Sequence, residues 1–293
     1  MTRGGIRTFQ LVAVLFAMAL VSREAGAAET SDKLEWKPEW ATFRPVEYVL
    51  TGVAGVASLG VYFGMTAPDP PHWVGGILFD DAARDALRLR SPGARDAIRT
   101  ASDATAVASV VLVVGVDSII VPLARKSDFV ALELTLMNAE SYALSTLITS
   151  AMFKTIGRGR PSYEDCQRNP NFDPLCNSAP TASFPSGHAN AASTAAGLSC
   201  AHHGHLSLYG SPFADAFACG TAVTLAAATA TFRVMGDRHY ASDVLVGSII
   251  GFGIGFAGPT LLHYSVPGGS AASAAITPMG GTATVGFMVS GMF

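Results

Sequence analysis

Six apolar segments, at approximately 46–66, 104–124, 131–153, 188–201, 214–233 and 240–263, alternate with polar connections along this 293-residue chain. None shows the apolar–polar alternation of a half-buried strand. Ala, Leu, Val and Gly dominate all six, so each reads as a helix. Several approach the roughly 20 residues needed to cross a bilayer. Small-residue stretches such as GTAVTLAAATAT (220–231) suit helices that pack backbone to backbone, as they do in membranes. Charged residues make up 14% of the chain, against roughly 25% in soluble domains. The expected fold class is all-α, a membrane-embedded six-helix bundle. Asp117, Glu133, Glu140 and Asp215 fall in or near these segments. They require either a polar bundle interior or helices that are not all in lipid. The net charge of −3 gives no reason to expect nucleic acid as a partner.

The ends differ from the bundle. Arg3 and Arg7, the apolar stretch 9–21 and Ala25-Gly26-Ala27 read as an export signal over 1–27. Residues 28–45 are polar and tryptophan-bearing, and are expected to form a surface segment. At the other end, 264–293 is rich in Gly and Ala. There Val285, Phe287 and Val289 alternate with Gly, Met and Ser, the pattern of a strand or short hairpin. Between the first two apolar segments, residues 80–99 interleave Asp and Arg at spacings of three and four, which predicts a solvated or interfacial helix. Cys166 and Cys176 share one Pro/Asn/Asp-rich loop and could form a disulfide outside the cytoplasm. Cys200 and Cys219, set among Ala, Ser and Thr, read as small buried residues.

Three stretches carry chemistry. In SFPSGHAN (183–190), Pro185 fits a helix start, so Ser186 and Gly187 would present backbone N–H groups to an anion, and His188 adds a titratable proton. In FKTIGRGRP (153–161), Lys154, Arg158 and Arg160 cluster where a helix gives way to a loop, a grouping that suits a phosphate-like dianion. In FRVMGDRHYASDVLVG (232–247), Arg233 closes one helix while His239 and Asp243 stand four apart at the start of the next. There a carboxylate could hold one imidazole nitrogen and leave the other free to attack. Taken singly, each stretch is equally an ordinary helix end.

Together the three resemble the PAP2 superfamily (type 2 phosphatidic acid phosphatases), which includes acid phosphatases, lipid phosphatases and vanadium haloperoxidases. The resemblance rests on Lys154 with Arg160-Pro161, on Pro185-Ser186-Gly187-His188, and on Arg233, His239 and Asp243. It covers 46–263 and implies a PAP2-type helical phosphatase domain. It departs from the family in two places. Five residues, not six, separate Lys154 from Arg-Pro, so Phe153 takes the lysine register and Arg158 could share the lysine's role. Phe232 stands where a serine usually precedes the arginine.

The implied activity is metal-independent hydrolysis of a phosphomonoester, with a phospholipid or other phosphoester as substrate and no cofactor. His239 would be the nucleophile, oriented by Asp243, and His188 the acid and base. Lys154, Arg160, Ser186, Gly187 and Arg233 would bind phosphate. A vanadate-dependent haloperoxidase and a catalytically silent protein that binds anionic lipid remain open. The expected location is a bacterial-type cell envelope, in the membrane with the site facing the periplasm, or else soluble in the periplasm. A cleaved signal followed by six crossings would turn the site to the cytoplasm. That conflict vanishes if one early segment, 46–66 being a candidate, does not cross, or if the whole bundle is soluble in the periplasm.

Overall fold

The computed structural model describes residues 33–265, 275–281 and 284–290. The export signal lies outside the described residues. Eight helices are present among them: α1 (Pro45–Gly64), α2 (Asp80–Leu87), α3 (Pro92–Ala124), α4 (Asp128–Ile156), α5 (Tyr163–Arg168), α6 (Gly187–His205), α7 (Pro212–Met235) and α8 (Ala241–Leu262). The count of six is therefore corrected by two short helices, α2 and α5, formed in the polar connections. Residues 275–281 and 284–290 pair as an antiparallel ladder, with Ala275 opposite Ser290.

Local chemistry sets the helix ends. Ser91 and Ser211 each accept the N–H three residues on at 3.2 Å, and a proline follows each cap. Gly157 closes α4 in the left-handed region at φ 61°, where a side chain would be strained and would overlap Pro68. In α3, residues 111–120 wind as a π-helix. The freed turn is stabilised from within, because Ser118 donates to the Val113 carbonyl at 2.7 Å and Asn138 donates to Ser118 at 2.7 Å.

Helix α6 is the axis of the bundle, and α3, α4, α7 and α8 all pack on it. Its small side chains, Ala192, Ala195, Ala196 and Ala201 among them, are fully enclosed. Helix α8 approaches it through Gly247, Gly251 and Gly255, four apart on one face. A Cβ at Gly247 would stand 2.5 Å from the Ser186 carbonyl, and at Gly251 and Gly255 still closer to the carbonyls of Asn190 and Thr194. Glycine at these positions allows the two backbones to touch. That contact fixes the start of α8 against the start of α6, where the chemistry-bearing motifs lie.

Four helices, α1, α3, α7 and α8, are long and apolar enough to cross a membrane. Their outward faces carry Val49, Val53, Val56, Phe63, Ile120, Phe213, Phe217, Ile249 and Leu261, all exposed. Such a surface suggests membrane association. An 18-residue stretch of α1 is only 11% buried. The candidate for a segment that does not cross thus has the composition and exposure of a span. The acidic residues resolve in favour of a polar interior. Asp117 accepts from the Tyr209 hydroxyl at 2.6 Å, Glu133 from the Phe43 N–H at 2.9 Å, and Asp215 from the Tyr209 N–H at 2.9 Å. Glu140 lies 3.6 Å from His263.

Two further expectations are corrected here. Residues 34–43 are a surface segment only in part, since Leu34, Trp40 and Phe43 are buried and Trp40 meets the Tyr264 ring edge-on at 4.9 Å. They close the end of the bundle opposite the start of α6. Cys200 and Cys219, expected as small buried residues, are half-buried and disulfide-bonded, with an S–S distance of 2.00 Å. Cys166 and Cys176 are also disulfide-bonded, at 2.07 Å.

Candidate active site

The ends of α1, α4 and α7, the start of α6 and the loop that leads into α8 meet around a cavity of about 650 Å³. Six of the eight residues expected in the site line it: Lys154, Arg160, Gly187, His188, Arg233 and His239. Ser186 and Asp243 stand behind its wall. Tyr62, Phe63, Met65 and Phe153 give one side of the cavity an apolar face.

His239 sits on the loop between α7 and α8. Its Nδ1 donates to the Ser183 carbonyl at 2.7 Å, because a carbonyl can only accept. The Nε2 lone pair is thereby left on the cavity side, 3.4 Å from the Arg160 guanidinium. The expected hydrogen bond to Asp243 is not made, since the nearest carboxylate oxygen is 3.8 Å away. Asp243 acts one step back. It accepts from the Ser183 hydroxyl at 2.6 Å and from the Tyr240 N–H at 2.8 Å, so it fixes the residue that holds the imidazole. Burial, then the charges of Arg160 and Arg233, lower the His239 imidazole well below its ordinary 6.5 and keep it neutral.

Arg158 does not share the lysine's role. Its guanidinium lies between the faces of Trp73 and Tyr240, 3.9 and 4.0 Å from their centroids. It donates to Ser242 at 2.8 Å, to Asp80 at 2.8 Å and to Asp243. No part of the side chain reaches solvent. Burial works against the Asp80 carboxylate, but its hydrogen bonds from Arg158, Ile77 and Ser242 outweigh this and lower its pKa. A row of contacts thus runs Asp80–Arg158–Asp243–Ser183–His239.

Apart from His239 Nε2, Arg160 is engaged only by carbonyls, those of Ala179 at 2.9 Å and Arg238 at 2.6 Å. Burial, then the Arg238 and Arg233 charges, push its pKa well down. A buried guanidinium without a carboxylate partner, next to other cations, is a place for an anion. Lys154 stands at the mouth, donating to the Met65 carbonyl, with its ammonium 5.6 Å from the Tyr62 ring centre. Ser186 is buried, and its N–H goes to the Asp243 carbonyl at 3.0 Å rather than to the cavity. Its hydroxyl accepts the Ala189 N–H at 3.4 Å. Gly187 is the first residue of α6, so its N–H has no partner within the helix. His188 places Nε2 3.0 Å from Asp103, which is also 3.3 Å from Arg233. Burial, then the Arg233 charge, lower the His188 imidazole to about 4, and Asp103 opposes the shift.

Asp80, Asp103 and Ser183 were not legible as site residues, and the segment 80–99, though largely exposed, turns Asp80, Arg95 and Arg99 inward. Arg95 and Arg99 are buried and donate to Asp173 at 2.8 Å. Arg84 holds Asp237 at 2.7 Å and Asp165 at 2.8 Å. These pairs tie α2 and α3 to the loops on either side of His239 and around Cys166. The Arg99 guanidinium also donates to the Gly236 carbonyl at 2.7 Å.

Among curated proteins and solved structures none matches the chain. The family model of the PAP2 superfamily matches residues 135–267, the segment that contains every cavity-lining motif residue. The three motifs thus converge on one cavity within residues that match the PAP2 superfamily, a family whose general activity is that of a phosphatase.

Proposed function

We propose that the protein is a metal-independent phosphomonoesterase acting through a phosphohistidine at His239. The observation that carries the reading is the Nδ1 donation of His239 to the Ser183 carbonyl, which assigns the attacking lone pair to Nε2 beside Arg160. In the first step Nε2 attacks phosphorus and the ester P–O bond breaks. His188, charged once the bound dianion offsets the Arg233 charge that lowers it, gives its proton to the departing oxygen. In the second step His188 takes a proton from water, the hydroxide attacks the phosphoryl group, and the P–N bond breaks to release phosphate. Arg160, Arg233 and the Gly187 N–H hold the non-bridging oxygens as charge redistributes among them, and Lys154 adds positive charge from the mouth. Asp243 steadies the ring through Ser183 and, at 3.8 Å, the charge that forms on it. The apolar face at Tyr62, Phe63 and Phe153 supports an ester of a lipid-like alcohol.

We further propose that the bundle lies in the membrane with the site outside the cytoplasm. The Cys166–Cys176 bond, in the loop that leads from α4 to the site, supports an oxidising compartment. Arg125 and Lys126, at the far end of α3, then lie inside, in keeping with the positive-inside tendency. With α1 crossing, Leu34–Arg44 lie inside as well, the reverse of what cleavage at residue 27 would give. A phosphate-release panel of phosphatidate, short-chain alkyl phosphates and soluble phosphomonoesters tests the activity. Failure to release phosphate from any of them, with halide oxidation in the presence of vanadate and peroxide, would replace the reading with the haloperoxidase one.

A further inference from the structure

Asp103 belongs to none of the three motifs and lies outside the matched residues 135–267. It stands on α3, and one of its oxygens bridges His188 Nε2 at 3.0 Å and Arg233 at 3.3 Å, two groups that line the cavity. Among the described residues it is the only side-chain partner of either group. The Arg233 Nε is buried and has no partner at all among them. A carboxylate therefore stands next to the group that protonates the leaving oxygen, while the guanidinium keeps donors unused for phosphate.

We propose that Asp103 is a specificity-determining residue that sets this site for phosphomonoesters of uncharged or cationic alcohols and against diphosphates. The inference rests on the phosphatase reading above, in which His188 marks the leaving-group side. The charge inventory of the cavity supports it. Lys154, Arg160 and Arg233 suffice for the dianion being transferred. A diphosphate would place its second phosphate, as the leaving group, beside His188. There it meets Asp103 and no further cation among the lining residues. A fixed like charge a few ångströms away disfavours that arrangement by about tenfold or more, even through a fairly polar medium. Asp103 is 59% exposed, so salt should weaken the effect.

The test uses the purified full chain and two substrates of one alcohol, an isoprenyl monophosphate and the matching diphosphate. Their kcat/KM values are compared at low and high ionic strength for wild type, Asp103→Asn and Asp103→Glu. Wild type should prefer the monophosphate by about tenfold or more at low salt, and the preference should shrink at high salt. Asp103→Asn should lose most of the preference by gaining on the diphosphate, whereas Asp103→Glu should keep it. The wild-type salt series needs no variant, so a poorly folded Asn protein does not shield the idea. A salt-independent preference, or an Asn variant that loses equally on both substrates, would overturn the proposal and leave the phosphatase reading standing. No hydrolysis of either ester by wild type would remove that reading, and the proposal with it.

Discussion

Replacing Arg158 separates a binding arginine from a structural one. Asp80 and Asp243 are both fully buried, and among the described residues Arg158 is the one cation that touches both. Arg158→Met keeps the packing between Trp73 and Tyr240 but leaves two enclosed carboxylates uncompensated. Removing one partner of a buried ion pair costs about 3–5 kcal/mol. For a domain of this size each kcal/mol moves the melting temperature by about 2–4 °C, so a fall of about 6–20 °C is expected. The sign can be checked separately. Asp80→Asn added to Arg158→Met removes one of the stranded charges and should recover part of the loss, a coupling that a double-mutant cycle isolates. The assay is thermal unfolding in detergent, paired with phosphate-release kinetics on the folded fraction. A melting temperature within about 2 °C of wild type, together with a raised KM, would refute the reasoning and make Arg158 a phosphate ligand.

Lys154→Ala should lower kcat/KM only slightly, whereas Arg160→Ala removes a charge-assisted contact beside Nε2 and should cost about 1.5–3 kcal/mol, roughly ten- to a hundredfold. Equal large losses would show that Lys154 swings in from the mouth when substrate binds. The unfolded chain protonates His188 and His239 near 6.5, whereas in the folded protein His188 is lowered to about 4 and His239 is shifted the same way. Their contribution to stability is therefore complete above about pH 6.5 and is lost as pH falls toward 4. Vanadate, as an anion in the same cavity, should offset that loss, and a melting series with and without it checks both points. Gly251→Ala places a Cβ against the Asn190 carbonyl and should cost about 1–3 kcal/mol, while Gly253→Ala, with nothing within 4 Å, should be neutral in the same melt.

The parts of this protein legible in its sequence are those written in short-range pattern. The long helices follow from apolar runs, and Lys154, Arg160, Gly187, His188, Arg233 and His239 follow from three local motifs that the bundle brings to one cavity. The supporting residues were hidden because their partners lie far off in the chain. Asp80 meets Arg158 across 78 positions, and Arg99 meets Asp173 across 74. The Asp/Arg spacing of 80–99 fits helical self-pairing equally well. Only the carboxylates Asp165, Asp173 and Asp237 in the site loops, read as needing cations, could have signalled otherwise. Asp243 illustrates the opposite error. Its i,i+4 spacing to His239 implied a direct bond, yet the Ser183 carbonyl takes the imidazole proton because that loop passes closer to the ring.

The central claim is that His239 carries the phosphoryl group, and trapping the intermediate tests it most directly. Protein quenched during turnover of a ³²P-labelled phosphomonoester should hold label that is acid-labile and alkali-stable, and peptide mapping should place it on His239. His239→Ala should hold none, and His188→Ala should still accumulate label from an ester with a good leaving group. Label of equal intensity in wild type and His239→Ala, or turnover without His239, would contradict the account.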